Sequence, residues 1–355
     1  MARKHRTNFL STLLDAQKLA FAPFIFKACS AALKTGLLDA VVRAEKPVPR
    51  EALARTLGLT PYAVAVMADI LKPAGVLEES GEGLSATQVG SLLVLDDMTR
   101  ANFFFTDDVN YDGLSKTLES LIEGRPAGLA AFNPGWKTIY PHLPELPPAA
   151  QKAWFGFDHY HSDRAYRAAL DLLEPLSPRH LVDIGGNTGR FTREFLLRFP
   201  TSRATLVDLP VETEALRDRP EMAGLLERLD AVSIDWLTDA PLTGTDGADL
   251  YWMSQFLDCF SPDEAVSILE RTRAAMAPGA VLAVLEPIVD EQRHQAAELS
   301  LAATSLYFTV LANGNSRFFA GAELRAIFRR AGFAVVSEHP ALGISHTLFI
   351  LKPDR

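Results

Sequence analysis

The chain has 355 residues, of which 48% are hydrophobic and 22% charged. This is ordinary globular usage at a length suited to two domains, and it excludes a disordered tail, a collagen-like fibre and a disulfide-stapled mini-protein. A net charge of −9 supplies no global field for phosphate backbones, so nucleic acid is not expected as the main partner.

Met1 to Arg6 is basic, but the apolar stretch behind it is cut by Asp15, Gln17 and Lys18 before a signal-peptide core or a membrane span of roughly 20 residues can form. No membrane partner is expected. Leu10 to Val42 carries apolar positions at helical spacing, among them Phe21, Phe24, Ile25, Leu33, Leu37, Leu38 and Val41, which predicts one or two helices with wide apolar faces. Cys29 and Cys259, the two cysteines, are too distant in sequence to form a ligand cluster or disulfide framework by themselves, and point to a reducing cytoplasm.

Pro49 to Ala54 and then Thr60-Pro61-Tyr62-Ala63 read as two helices, the second capped by Thr60 with Pro61 at its first position. Gly75 to Glu78 and Gly83 to Thr87 follow as two short strands about a glycine turn, giving a winged helix. A DNA-reading helix presents basic side chains to the groove. This one has no Lys or Arg before Lys72, so a packing or dimerisation module is the preferred reading and a metabolite-sensing regulator the alternative. Residues 111 to 180 form a helical connector, Pro-rich from Pro141 to Pro148 and helical through Trp154 to Leu173.

From Leu181 short apolar runs alternate with helices: Leu181 to Ile184, Ala204 to Val207, Leu250 to Met253 and Ala280 to Leu285. Alternation of this kind predicts a parallel sheet wrapped by helices, with ligands at the carboxyl ends of its strands. Phe333 to Glu338 and Ser345 to Leu351 can close it as an antiparallel pair.

Val182-Asp183-Ile184-Gly185-Gly186-Asn187-Thr188-Gly189 is a strand running into a Gly-rich turn. The glycines let a ligand approach the backbone, and Asp183 can take a cationic or hydroxylated group. Asp208 ends the next strand, where a carboxylate accepts both hydroxyls of a ribose. The glycine spacing departs from the G-x-G-x-x-G of dinucleotide sites, which favours S-adenosylmethionine as the adenosine-type cofactor.

With these residues the chain resembles the class I S-adenosylmethionine-dependent methyltransferases, and more narrowly the two-domain small-molecule O-methyltransferases of the plant phenolic and hydroxyindole type. The resemblance rests on the winged helix, the Asp183-Ile184-Gly185-Gly186 turn, Asp208-Leu209-Pro210, Asp235-Trp236, Ala277-Pro278-Gly279 and Val284-Leu285-Glu286-Pro287. It implies an α/β fold: a Rossmann-like methyltransferase sheet with an N-terminal, mostly helical winged-helix dimerisation domain. The expected divisions are residues 1–110 for that domain, 111–175 for a connector contributing to the substrate pocket, and 176–355 for the cofactor-binding catalytic domain. A homodimer is implied.

By the same resemblance Gly185, Gly186 and Gly189 line the methionine part of the cofactor, Asp208 holds the ribose, and Asp235 and Trp236 take the adenine. Asp183, Leu209 and Ser254 complete the cofactor set. The family's His-Asp pair, whose His deprotonates the acceptor, corresponds to Leu257-Asp258, leaving Leu257 at the base position and Asp258 in place. Glu286 resembles the carboxylate that steers that His, while Phe318 stands where a second one is expected. His159 is the reserve base, with His161 two positions on expected to lean to another face. Thr304, Tyr307 and Phe308, and more distantly Tyr111, are expected to line a pocket for a flat aromatic, phenolic acceptor. No metal is expected, because no ligand set of suitable spacing is present. O- or C-methylation is the main expectation; N-methylation, a non-methylating reaction on the same scaffold and the regulator are the alternatives.

Overall fold

The computed structural model describes residues 9–354; the basic stretch Met1 to Arg6 lies outside the described residues. The chain divides into two compact units, the first ending at Asp107 and the second starting at Asp108.

The first unit contains α1 (Phe9–Ala20), α2 (Ala22–Lys34), α3 (Leu37–Val42), α4 (Arg50–Leu57), α5 (Pro61–Ala74), β1 (Leu77–Ser80), β2 (Gly83–Ala86), α6 (Gln88–Leu95) and α7 (Asp97–Phe104). The long apolar stretch thus makes three helices. Phe21 separates the first two, which bend by 71°, and Gly36, at φ +79°, opens α3. Thr60 caps α5 as expected, its hydroxyl accepting from Ala63 N at 3.1 Å. The wing strands β1 and β2 pair antiparallel, joined by a bridge from Val48 to Leu84. Val64, Ala68, Leu71, Leu77 and Leu84 meet α2 and α3 in one core. Its buried Asp107 holds Lys27 and Lys34 at 2.7 and 2.6 Å and accepts from Ser30. By contrast α1 has no buried residue. No single described helix is long and apolar enough to cross a membrane.

The second unit follows as α8 (Thr117–Glu123), α9 (Pro148–Leu173), β3 (His180–Ile184), α10 (Arg190–Arg198), β4 (Arg203–Asp208), α11 (Pro210–Ala215), β5 (Leu229–Ser233), β6 (Leu250–Ser254), α12 (Pro262–Ala275), β7 (Val281–Pro287), α13 (Gln295–Tyr307), α14 (Gly321–Arg330), β8 (Phe333–Leu342) and β9 (His346–Pro353). The seven strands lie in the order β5-β4-β3-β6-β7-β9-β8, parallel through β7 and antiparallel at β9 and β8.

Period-two alternation splits the strands between two cores. Val182, Ile184, Tyr251, Met253, Leu282 and Val284 face one core with Phe328 and Leu324 of α14. Leu181, Leu250, Trp252, Ala283 and Leu285 face the other with Ala165, Ala169, Phe191 and Phe195. Trp252 stacks on Phe191 at 3.8 Å. The second half of α9 is therefore anchored on the sheet. The chain visits β3, β4 and β5 on one side before returning to β6 on the other, so the crevice between β3 and β6 is the topological switch point where ligands bind in such sheets.

Candidate active site

β3 delivers Asp183 onto the α10 face, where Thr192 Oγ1 donates to Oδ2 at 2.6 Å. Burial, with Asp208 nearby, pushes this carboxyl up to about 7. The turn that follows has positive φ at Gly185 (+71°), Asn187 (+48°) and Gly189 (+80°). A side chain at Gly185 would lie 2.3 Å from the Phe256 ring, and at Gly186 2.7 Å from Leu206. The protein itself therefore fills much of the room the glycines leave, so they shape the turn through packing as well as by baring its backbone.

Asp208, at the end of β4, accepts from Asn187 N through Oδ2 and from Leu209 N through Oδ1, both at 2.7 Å. Each oxygen keeps a lone pair for a hydroxyl. Burial raises this carboxyl, while the two backbone donors oppose the rise. After β5, exposed Asp235 accepts from Leu237 N at 2.9 Å. Trp236 is buried against the core, 6.1 Å from Phe256, and the Arg271 guanidinium covers its ring at 4.9 Å. Asn187 Oδ1, Ser254 Oγ and Trp236 Nε1 are buried without a hydrogen-bond partner. Such orphaned groups around a paired ribose-type carboxylate fit an adenosine cofactor bearing amino, carboxylate and hydroxyl groups.

Beyond β6, Glu286 Oε1 accepts from Phe256 N and Leu257 N at 3.0 and 2.9 Å. Glu286 and Asp258, 1% and 2% exposed, face each other, and their Oε2 and Oδ2 have no donor. Burial raises both carboxyls, Glu286 further, so that a protonated Glu286 donates to Asp258. Cys259 Sγ donates to Asp258 Oδ1 at 3.4 Å, and the buried Tyr140 hydroxyl meets that thiol. Leu257, the expected base position, is 0% exposed and packed into the sheet core. The side chain turned toward Glu286 is that of Asp258.

His159 and His161 do part company. His159 Nε2 lies 3.2 Å from Thr188 Oγ1 on the turn. His161 packs on Phe157 at 4.6 Å and approaches buried His346, whose Nε2 is 3.1 Å from Gln255 Oε1. Desolvation holds both His159 and His161 down at about 4, making each a weak proton acceptor. Tyr307 accepts from Trp154 Nε1 at 2.8 Å, and Phe308 meets Phe318 edge to face at 5.1 Å. The hydroxyl of Thr304 bonds back to Ser300 O on its own helix. Tyr111 is half-buried at the head of the second unit. No group of three or more His, Cys, Asp or Glu able to hold a metal occurs among the described residues.

Several members of this site were not singled out from sequence. Asn187 and Thr188 connect the turn to α9 through Asp158 and His159. Trp154 and Asp158 are one helical turn apart, a spacing that could have flagged them as one face. Tyr140 and His346 carried no local signal.

The fold is that of the class I S-adenosylmethionine-dependent methyltransferases. More narrowly, residues 161–334 match the O-methyltransferase domain family. The chain is 26% identical over 309 residues to the 3-amino-4-hydroxybenzoate 4-O-methyltransferase of Streptomyces cremeus, covering 86% of this chain and 81% of that one. It is 30% identical over 234 residues to the Aclacinomycin 10-hydroxylase RdmB of Streptomyces purpurascens, covering 64% and 60% respectively. Among solved structures, the mitomycin 7-O-methyltransferase superposes with a TM-score of 0.73 at 20% identity, covering 97% of this chain and 98% of that one.

Proposed function

We propose that the protein transfers the methyl group of S-adenosylmethionine to a small aromatic, phenolic acceptor in a biosynthetic pathway. The observation that carries this reading is Asp208, held by two backbone donors at the end of β4 with a lone pair left on each oxygen. When bound, the cofactor supplies an electrophilic methyl on a sulfonium, whose transfer to a hydroxyl frees one proton. Asp208 with Leu209 would hold the ribose, Asp183 and the turn Gly185-Gly186-Gly189 with Ser254 the methionine part, and Asp235 with Trp236 the adenine. Tyr307 and Phe308 offer aromatic walls for the acceptor, with Thr304, His161 and Tyr111 as further contributors. The buried Asp258–Glu286 pair, when ionised, favours developing positive charge beside it. His159 positions the turn through Thr188.

Two copies are proposed to associate through the first unit, a reading supported by the exposed Phe9 (76%), Leu10 (67%) and Leu19 (79%) of α1. The unbridged Cys29 and Cys259 suit a cytoplasmic setting.

Calorimetry with S-adenosylhomocysteine should give binding that Asp208→Ala weakens by ~1.5–3 kcal/mol; silent titrations on folded protein would overturn the reading. A second reading, a non-methylating reaction, is favoured by the low-lying histidines and by the hydroxylase relative. Mass spectrometry of hydroxylated benzoates and naphthoates incubated with enzyme separates the two. Methylation adds a methyl group and yields S-adenosylhomocysteine; the alternative consumes no cofactor.

A further inference from the structure

We propose that Asp158 is the carboxylate paired with the cofactor's sulfonium charge, and that it binds a proton when that charge disappears. The proposal rests on the methyltransferase reading. Asp158 Oδ2 lies 3.4 Å from Asn187 Nδ2, and the backbone N–H of Asn187 donates to Asp208. One helical turn before it on α9, Trp154 Nε1 donates to Tyr307 of α13 at 2.8 Å, and Asp158 feels Asp258 of the loop after β6 electrostatically. It therefore stands between the cofactor turn and the elements assigned to the acceptor, where the two reacting partners must meet.

Its neighbours leave it without a cation of its own. From α9 it is faced by Asp163, His159 and Tyr166, from α10 by Arg190, from the loop after β6 by Asp258, and from α13 by Tyr307. Arg190 is committed to Asp163 by an ion pair. His159 is neutral, and the Asp258–Glu286 pair is sealed by burial around its own proton. Asp158 alone of these three central carboxyl residues keeps some exposure, whereas Asp258 and Glu286 keep almost none. Burial, with Asp163 and Asp258 beside it, raises the Asp158 carboxyl to about 7. A positive charge placed next to it favours the ionised form, and removing that charge restores the protonated one.

The balance of the reaction follows. Methyl transfer to a hydroxyl breaks the carbon–sulfur bond, whose electron pair stays on sulfur, forms the carbon–oxygen bond and frees the hydroxyl proton. Asp158, its neighbouring cation gone, takes that proton and later returns it to solvent.

S-adenosylmethionine and S-adenosylhomocysteine share every other charge, so comparing them isolates the sulfonium. Each is titrated calorimetrically into the full chain at neutral pH, in two buffers of different protonation enthalpy. S-adenosylmethionine should release about half a proton more than S-adenosylhomocysteine. Asp158→Asn should abolish that difference and cut the preference for S-adenosylmethionine by about tenfold. Equal proton release by the two ligands, or a difference that survives Asp158→Asn, overturns the proposal while leaving the cofactor site standing. No binding of either ligand to folded protein removes the methyltransferase reading and this proposal with it.

Discussion

Leu257→His installs the imidazole that the family resemblance associates with proton abstraction, and the structure gives that substitution a cost without a gain. Leu257 is fully buried among the sheet-core side chains. Its backbone N–H is already committed to Glu286 Oε1 at 2.9 Å. Replacing it forfeits part of the ~1.5–3 kcal/mol that burying a leucine contributes. It also strands imidazole nitrogens in an apolar setting at about 1–3 kcal/mol. A destabilisation of about 3 kcal/mol results, which for a unit of this size lowers Tm by roughly 6–12 °C. Thermal unfolding followed by circular dichroism measures the loss, and methylation of a phenol panel measures activity, which should not rise. A Leu257→His protein with wild-type Tm and faster methylation at phenolic oxygen would refute the reasoning, because its side chain would then face the acceptor.

Two further outcomes follow from the turn. The Asp183 carboxyl is raised by burial to about 7, above its unfolded value. The native state therefore binds the extra proton, and its stability falls as pH rises through roughly 4 to 7. Asp183→Asn, which keeps an acceptor for Thr192, should gain on the order of 2 kcal/mol relative to wild type between pH 5 and pH 8 in urea unfolding; parallel pH profiles would contradict this. Gly185→Ala forces a side chain at φ +71° to within 2.3 Å of Phe256. It should cost about 2–4 kcal/mol and weaken S-adenosylhomocysteine binding, as read by unfolding and calorimetry.

The strands of the sheet were legible because they are short, apolar and bounded by turn residues, and so were Asp208 and the turn, whose chemistry is local. β5 escaped notice: Leu229-Asp230-Ala231-Val232-Ser233 sits at the sheet edge, mostly exposed, and carries no apolar run. The facing of the loop after β6 was hidden for a related reason. Residue types in a loop do not reveal which of two neighbours faces inward, and the choice between Leu257 and Asp258 depends on where Glu286 lies after folding. The three central carboxyls come from α9, the loop after β6 and the end of β7, an encounter no spacing in the sequence encodes. His346 became a neighbour of His161 and Gln255 only through the pairing of β9 with β7.

The seam between α9 and the turn, made by Asp158 with Asn187, His159 with Thr188 and Asp163 with Arg190, limits how the enzyme can be re-engineered. One stretch of helix carries Trp154, which fixes Tyr307 on the proposed acceptor wall, and four residues later begins gripping the turn proposed to hold the cofactor. Grafting a relative's version of this helix to change the acceptor would therefore alter cofactor affinity as well, unless residues 187–190 travel with it. Substitutions on α13 ahead of Tyr307 escape that linkage, so a library aimed at the proposed acceptor wall alone belongs there.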